Sequence, residues 1–167
     1  PSATWDHFLA TEGDTALGQK ISQVRELEAL GAEVLVVAAD VADAGQMTAV
    51  IQQATVRFGA IHGVFHAAGV PGMGLIQLKT ADQVEQVLAS KIAGTIVLEQ
   101  VLQDVELDFL VLFSSITSVT GGGPGQIDYC AANAFLDAYA QTQVGAKRIT
   151  VAVDWGEWRW NAWEAGL

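Results

Sequence analysis

Short runs of β-branched and aromatic residues alternate along the chain with longer stretches in which apolar positions recur every three or four residues. Strands and helices taking turns produce that alternation, and it predicts an α/β protein built of βαβ units around a parallel sheet. The opening stretch, Pro1 to Asp14, shows no such period and reads as an irregular lead-in, a linker or surface excursion. Leu17, Ile21, Val24, Leu27 and Leu30 then share one helical face, with Gly31 placed to stop the helix. Val34 to Ala38 reads as a buried strand, and Asp43 with Gln46 has the form of a capping box opening a helix whose stripe is Met47, Val50, Ile51, Ala54 and Phe58. A second strand covers about Ile61 to Ala67. Thr80 with Gln83 opens a long helix to about Leu102; Phe109 to Ser114 is a third strand, Tyr129 to Gln143 a helix, and Ile149 to Trp155 a fourth strand. No linker composition, internal repeat or low-complexity tract interrupts this order, so residues 1–167 read as one domain.

Composition narrows what such a domain does. A hydrophobic share of 51% over 167 residues supplies a real core. The apolar runs, such as Phe109 to Phe113, fall far short of the roughly 20 residues a membrane helix needs, and no signal-peptide pattern opens the chain. The expectation is a cytoplasmic protein with no membrane partner. A formal charge of -11, from 19 acidic and 8 basic side chains, repels polyphosphate and argues against nucleic acid. The single cysteine, Cys130, rules out an internal disulfide and a cysteine zinc cluster, and reads as a small buried side chain.

Several residues break their local rule. Lys91 falls on the apolar face of the long helix with Val84, Val87, Leu88, Thr95 and Leu98. Its stem could snorkel to water, or the buried cation could hold a ligand and tune a neighbour's pKa. Tyr129 and Asn133 sit four apart at the start of a helix and so project from one face. Ahead of them come Phe113, Ser114 and Ser115 at a strand end and the glycine-rich loop Gly121 to Gly125; open α/β sheets bind ligands at the carboxyl ends of their strands. Ser115 alone is more often a strand-end hydrogen-bonding serine. His62 and His66 lie in a strand, where their spacing puts them about 13 Å apart, too far to share a metal. No G-x-S-x-G elbow, phosphate loop or G-x-G-x-x-G turn is present, and Gly69, Gly72 and Gly74 read as a flexible turn.

Taken together, His66-Ala67-Ala68-Gly69-Val70, Lys91 with Gly94-Thr95, Phe113-Ser114-Ser115, Gly125-Gln126, Tyr129 through Asp137 and Trp155-Gly156-Glu157-Trp158 resemble polyketide-synthase ketoreductases, of the short-chain dehydrogenase/reductase superfamily. Stand-alone members of that superfamily usually carry lysine four residues after the catalytic tyrosine; here that position is Asn133 and the lysine lies upstream at Lys91, as in the synthase-embedded enzymes. The resemblance implies a Rossmann-like doubly wound parallel sheet that is incomplete, its first two strands and Gly-rich turn absent. It implies NADPH as cofactor, and reduction of a β-ketoacyl group carried on the phosphopantetheine arm of an acyl carrier protein. By the same resemblance Tyr129 donates the proton to the β-carbonyl oxygen, Ser115 hydrogen-bonds that oxygen, Lys91 holds the nicotinamide ribose and stabilises tyrosinate, and Asn133 orders a relay water. Asp40 and Val41 match the adenine-contacting pair, and Ala67, Ala68 and Gly69 lie where the backbone passes the cofactor.

The chain departs from the family pattern in three places. The Gly-rich phosphate turn and the basic residue that selects the 2'-phosphate are missing, and the C-terminal part is cut short at Leu167. Ser115 precedes Tyr129 by 14 residues where the family usually has 13, which keeps Ser114 and Ser118 as candidates. Pro71-Gly72-Met73 stands where producers of the D-hydroxyl carry Leu-Asp-Asp, leaning towards the L class, although that class's tryptophan is here Gly121. A non-catalytic structural or docking segment of a synthase is the alternative reading; Asn133 disfavours a third, a free-standing alcohol dehydrogenase. The expected partners are other synthase domains and the missing N-terminal part of the fold. In the strand order 3-2-1-4-5-6, Val34 to Ala38 and Ile61 to Ala67 are not neighbours, so no hydrogen-bonded ladder is expected between them. The same order predicts that Pro1 to Leu167 form no stable sheet alone.

Overall fold

The computed structural model describes residues 2–72 and 74–156. Residues 2–37 form one compact unit and residues 38–156 a second. In the first, helix α1 (Ser2–Glu12) is followed by α2 (Ala16–Ala29). The expectation of an irregular lead-in is therefore corrected. Trp5, Phe8 and Leu9 make a half-buried stripe at helical spacing, and the guanidinium of Arg25 on α2 lies 2.9 Å from Asp6 and 5.7 Å from the Trp5 ring centroid. The signal is short and its partner sits in the next helix, so the segment alone shows too little period. Thr15 caps α2 by accepting from the Gly18 N–H, and Gly31, at φ 92°, ends it where the sequence placed the stop.

Val34 to Ala38 is not a strand, a second correction. Among the described residues it has no ladder partner, and Leu35 and Val36 are exposed. β-branched composition marks a segment that would fit a pleated surface, but a strand exists only where a neighbour accepts its backbone hydrogen bonds.

The second unit holds a parallel sheet of three strands in the order β1 (Gly63–His66), β2 (Phe109–Ser115), β3 (Ile149–Trp155). Gly63 pairs with Phe109 and His66 with Leu112; Phe109 pairs with Ile149 and Ser115 with Trp155. Those neighbours are the fourth, fifth and sixth strands of the doubly wound order, and no ladder joins them to residues 34–38. Between the strands come α3 (Ala44–Phe58), α4 (Ala81–Leu88), α5 (Gly94–Val101), the short α6 (Thr117–Thr120) and α7 (Ile127–Thr142). At α3 the Asp43 carboxylate accepts from the Gln46 N–H, while the Gln46 side chain reaches back to the Asp40 N–H as well as to Asp43. Thr80 and Gln83 form the reciprocal capping box of α4.

The long helix expected from Thr80 to Leu102 runs that course with one interruption: Ala89–Ala93, centred on Lys91, is a π-helical turn. Such turns insert a residue into the helical ladder and occur often at functional sites. Leu110 and Leu112 of β2 pack on Leu136 of α7 on one sheet face, and Leu98, Leu102 and Leu107 join Met47, Ile51 and Val64 in an adjoining cluster. The opposite face carries Phe65, Phe109 and Phe113 edge to edge, with Phe65 64% exposed. Among the described residues no helix is long and apolar enough to cross a membrane.

Candidate functional site

The carboxyl end of the sheet gathers most of the residues singled out in the sequence. Lys91 is 4% exposed, and its ammonium donates a 2.6 Å hydrogen bond to the Phe113 carbonyl of β2. The same nitrogen lies 5.7 Å from the centroid of the Tyr129 ring. Burial of the charge lowers the Lys91 pKa to about 8, against the opposing pull of the Asp137 carboxylate. Of the two readings of this lysine, the snorkelling one is set aside, because the nitrogen itself is enclosed and bonded.

Tyr129 stands in the first turn of α7, and its N–H donates to the Asp128 carboxylate at 2.9 Å. Asn133, one turn on, is fully buried; its Nδ2 donates to the Tyr129 carbonyl at 2.8 Å, while its Oδ1 is buried without a hydrogen-bond partner. An enclosed amide oxygen left unpaired is costly, and such atoms in native folds commonly meet water or ligand. Ser115 is 8% exposed at the last position of β2, where its Oγ accepts from the Thr117 N–H. Ser114 points to the other sheet face and donates to the Asn133 carbonyl, so its hydroxyl helps dock α7 on β2. That commitment favours Ser115 over Ser114.

Gly69 lies directly against the lysine, because a β-carbon there would come within 3.2 Å of Lys91 Cε. Ala67 is exposed and Ala68 half-buried just after β1. Val41 packs on the Leu98 cluster, and a side chain at Gly94 would strike it at 2.8 Å. Asp40 is exposed and its carboxylate accepts from the Ala42 N–H. The structure thus brings Gly69, Lys91, Tyr129 and Asn133 together around Phe113 and the end of β2. Among the described residues, no hydrogen bond links Asp40 or Val41 to that group.

One feature at this end had no reading in the sequence. Lys79 and Asp128, 49 residues apart, form a 2.6 Å ion pair with side chains 4% and 1% exposed. Gly72 closes over that pair, since a β-carbon there would lie 2.3 Å from Asp128 Oδ1. Asp137 continues the four-residue spacing of Tyr129 and Asn133 along α7; it belongs to the motif quoted from the sequence, which assigned it no role. His66 is buried with Nε2 unpartnered, and burial, reinforced by the charge of Lys91, holds its pKa down at about 4. His62 falls just outside β1, which is shorter than expected. Met73, Glu157, Trp158 and Leu167 lie outside the described residues.

The family model described as the KR domain matches residues 8–160. The chain belongs to the KR family. Its relatives are polyketide synthases. It is 39% identical over 161 residues to 6-methylsalicylic acid synthase of Aspergillus terreus, covering 95% of this chain and 9% of that protein. It is 33% identical over 163 residues to polyketide synthase PksL of Bacillus subtilis, covering 93% of this chain and 4% of that protein. Among solved structures, an N-terminal ketoreductase from the macrolactin assembly line superposes with a TM-score of 0.79 at 34% identity, covering 84% of this chain and 29% of the other. A ketoreductase domain from the bacillaene assembly line gives 0.77 at 27%, over 93% and 40%. The KR chain therefore spans a small share of the synthases it matches, and it shares their parallel α/β sheet.

Proposed function

We propose that this KR chain provides the proton-transfer end of an NADPH-dependent reduction of a β-ketoacyl group, carried on an acyl carrier protein, within a larger polyketide synthase. One observation carries the reading: a buried ammonium lies beside the ring of Tyr129 and is fixed by the strand that ends in Ser115. A cation near a phenol stabilises the phenolate, which makes the phenol a better acid at neutral pH. Tyr129 gives its hydroxyl proton to the carbonyl oxygen as that oxygen gains charge. Ser115 hydrogen-bonds the same oxygen, and the Lys91 ammonium keeps the residual tyrosinate from being a high-energy product. Asn133, anchored to the Tyr129 carbonyl, presents an unpaired Oδ1 to the water that returns a proton.

The residues fit a nicotinamide nucleotide on one structural ground: Gly69 leaves no side chain over Lys91, so a ribose can approach the ammonium. Lys91, Tyr129 and the backbone of Ala67, Ala68 and Gly69 would hold it, with Asp40 and Val41 towards the adenine. When bound, the cofactor supplies the hydride. Cytoplasmic location and association with other synthase domains belong to the same reading.

The test is Tyr129→Phe in the full-length protein. Turnover of a β-ketoacyl thioester should fall by about 100-fold or more, with NADPH binding by fluorescence titration retained. Equal turnover by mutant and parent overturns the assignment and favours a structural segment instead.

A further inference from the structure

The start of α7 is held in an unusual way. Its N-cap residue, Gln126, gives the helix no side-chain cap and accepts from the Gly123 N–H instead. Asp128, two residues on and buried, takes that place: its Oδ1 accepts from the Tyr129 N–H at 2.9 Å, one of the donors a helix leaves open in its first turn. Its Oδ2 accepts from the Lys79 ammonium at 2.6 Å. Lys79 directly precedes Thr80, the cap of α4, and α4 runs on into the π turn that carries Lys91. The ion pair therefore ties the start of the tyrosine's helix to the start of the lysine's helix. Gly72 lies close over the α7 side of this junction, because a β-carbon there would come within 2.3 Å of Asp128 Oδ1 and 3.1 Å of Tyr129 Cβ. A β-carbon at Gly125 would likewise come within 2.6 Å of the Gly74 carbonyl oxygen, so the loop that leads into α7 packs backbone to backbone on the segment that leads to Lys79.

We propose that Lys79 and Asp128 are positioning residues for Tyr129: their buried ion pair fixes the first turn of α7 against α4 and so sets where the phenol ring stands relative to the Lys91 ammonium. Two charged side chains that are 4% and 1% exposed have given up their hydration, and an apolar pair of the same size would fill that space without the loss. What the ion pair adds is direction. A carboxylate already committed to the Tyr129 N–H, and held 2.6 Å from an ammonium on the neighbouring segment, admits one register of the two helices, whereas apolar side chains could slide past each other. The Lys91 nitrogen is fixed independently by the Phe113 carbonyl of β2, so the 5.7 Å between it and the ring is determined once α7 is held. Proton transfer tolerates little error in that placement, since a shift of about 1 Å costs on the order of 100-fold in rate. This inference rests on the reductive role proposed for Lys91 and Tyr129.

The experiment is a mutant cycle on the full-length protein, with a β-ketoacyl thioester and NADPH. Lys79→Met combined with Asp128→Asn removes both charges at nearly constant volume; the asparagine can still accept from the Tyr129 N–H, and no unpaired charge is left buried. This double variant should lose about tenfold in kcat, with KM and the NADPH affinity from fluorescence titration within about twofold of the parent. Placed in the Tyr129→Phe background, the same two substitutions should change the residual turnover by less than about twofold, because a pair that acts through the phenol has nothing left to act on. An unchanged kcat overturns the proposal. So does loss of NADPH binding, or the same tenfold fall in the Tyr129→Phe background, either of which would make the pair a brace of the fold. Should Tyr129→Phe be slowed as expected while the double variant turns over as the parent does, this inference alone fails. A fully active Tyr129→Phe would overturn the reductive reading, and the positioning role of Lys79 and Asp128 would fall with it.

Discussion

Replacing Lys91 by Met should stabilise the fold at neutral pH and weaken it at high pH. The chain encloses a charge that prefers water, and lowering the pKa from 10.5 to about 8 measures the penalty, about 3 kcal/mol at roughly 1.36 kcal/mol per pH unit. Methionine keeps most of the aliphatic length without the charge, but it abandons the Phe113 carbonyl, at a cost of about 1–2 kcal/mol. The balance at pH 7 is a gain of about 1–2 kcal/mol for Lys91→Met. The sign then turns. Between pH 8 and 10.5 the unfolded parent binds more protons at this site than the folded one, so the parent gains stability as pH rises through that window. By pH 10 about three-quarters of the penalty has gone and the lost hydrogen bond outweighs what is left, leaving the mutant less stable by up to about 1 kcal/mol. Urea unfolding of the full-length protein, run from pH 7 to pH 10 on both parent and mutant, reads the difference free of general alkaline effects. A difference that does not change with pH would refute the argument, since it would mean that Lys91 carries no burial penalty in the folded state.

His66 supplies the acid counterpart: with its pKa held at about 4 against an ordinary 6.5, it should cost about 3 kcal/mol of stability as pH falls from 6.5 to 4, and His66→Gln should flatten that part of the unfolding profile measured against pH. Gly72→Ala should cost about 1–3 kcal/mol, because the added methyl would meet Asp128 Oδ1 at 2.3 Å and must displace the buried partner of Lys79; an unchanged urea midpoint would show that the loop yields freely.

The sequence by itself carried the local decisions. Apolar period and turn chemistry placed α2, the Thr80 capping box and β3, because each depends on residues within a turn or two of one another. Motif order likewise drew attention to Lys91, Ser115, Tyr129 and Asn133, of which the structure gathers Lys91, Tyr129 and Asn133 at the end of β2. What depended on a partner far along the chain was not legible. Helix α1 rests on Arg25 of the next helix, and Val34 to Ala38 carries strand composition without a neighbour to pair with. The π turn at Lys91 is a change in hydrogen-bond ladder that side-chain spacing does not encode. The Lys79–Asp128 pair joins residues with no common period. Short-range propensity is written in adjacent residues, whereas the energy of a buried charge depends on everything packed around it, and only the tertiary structure decides that.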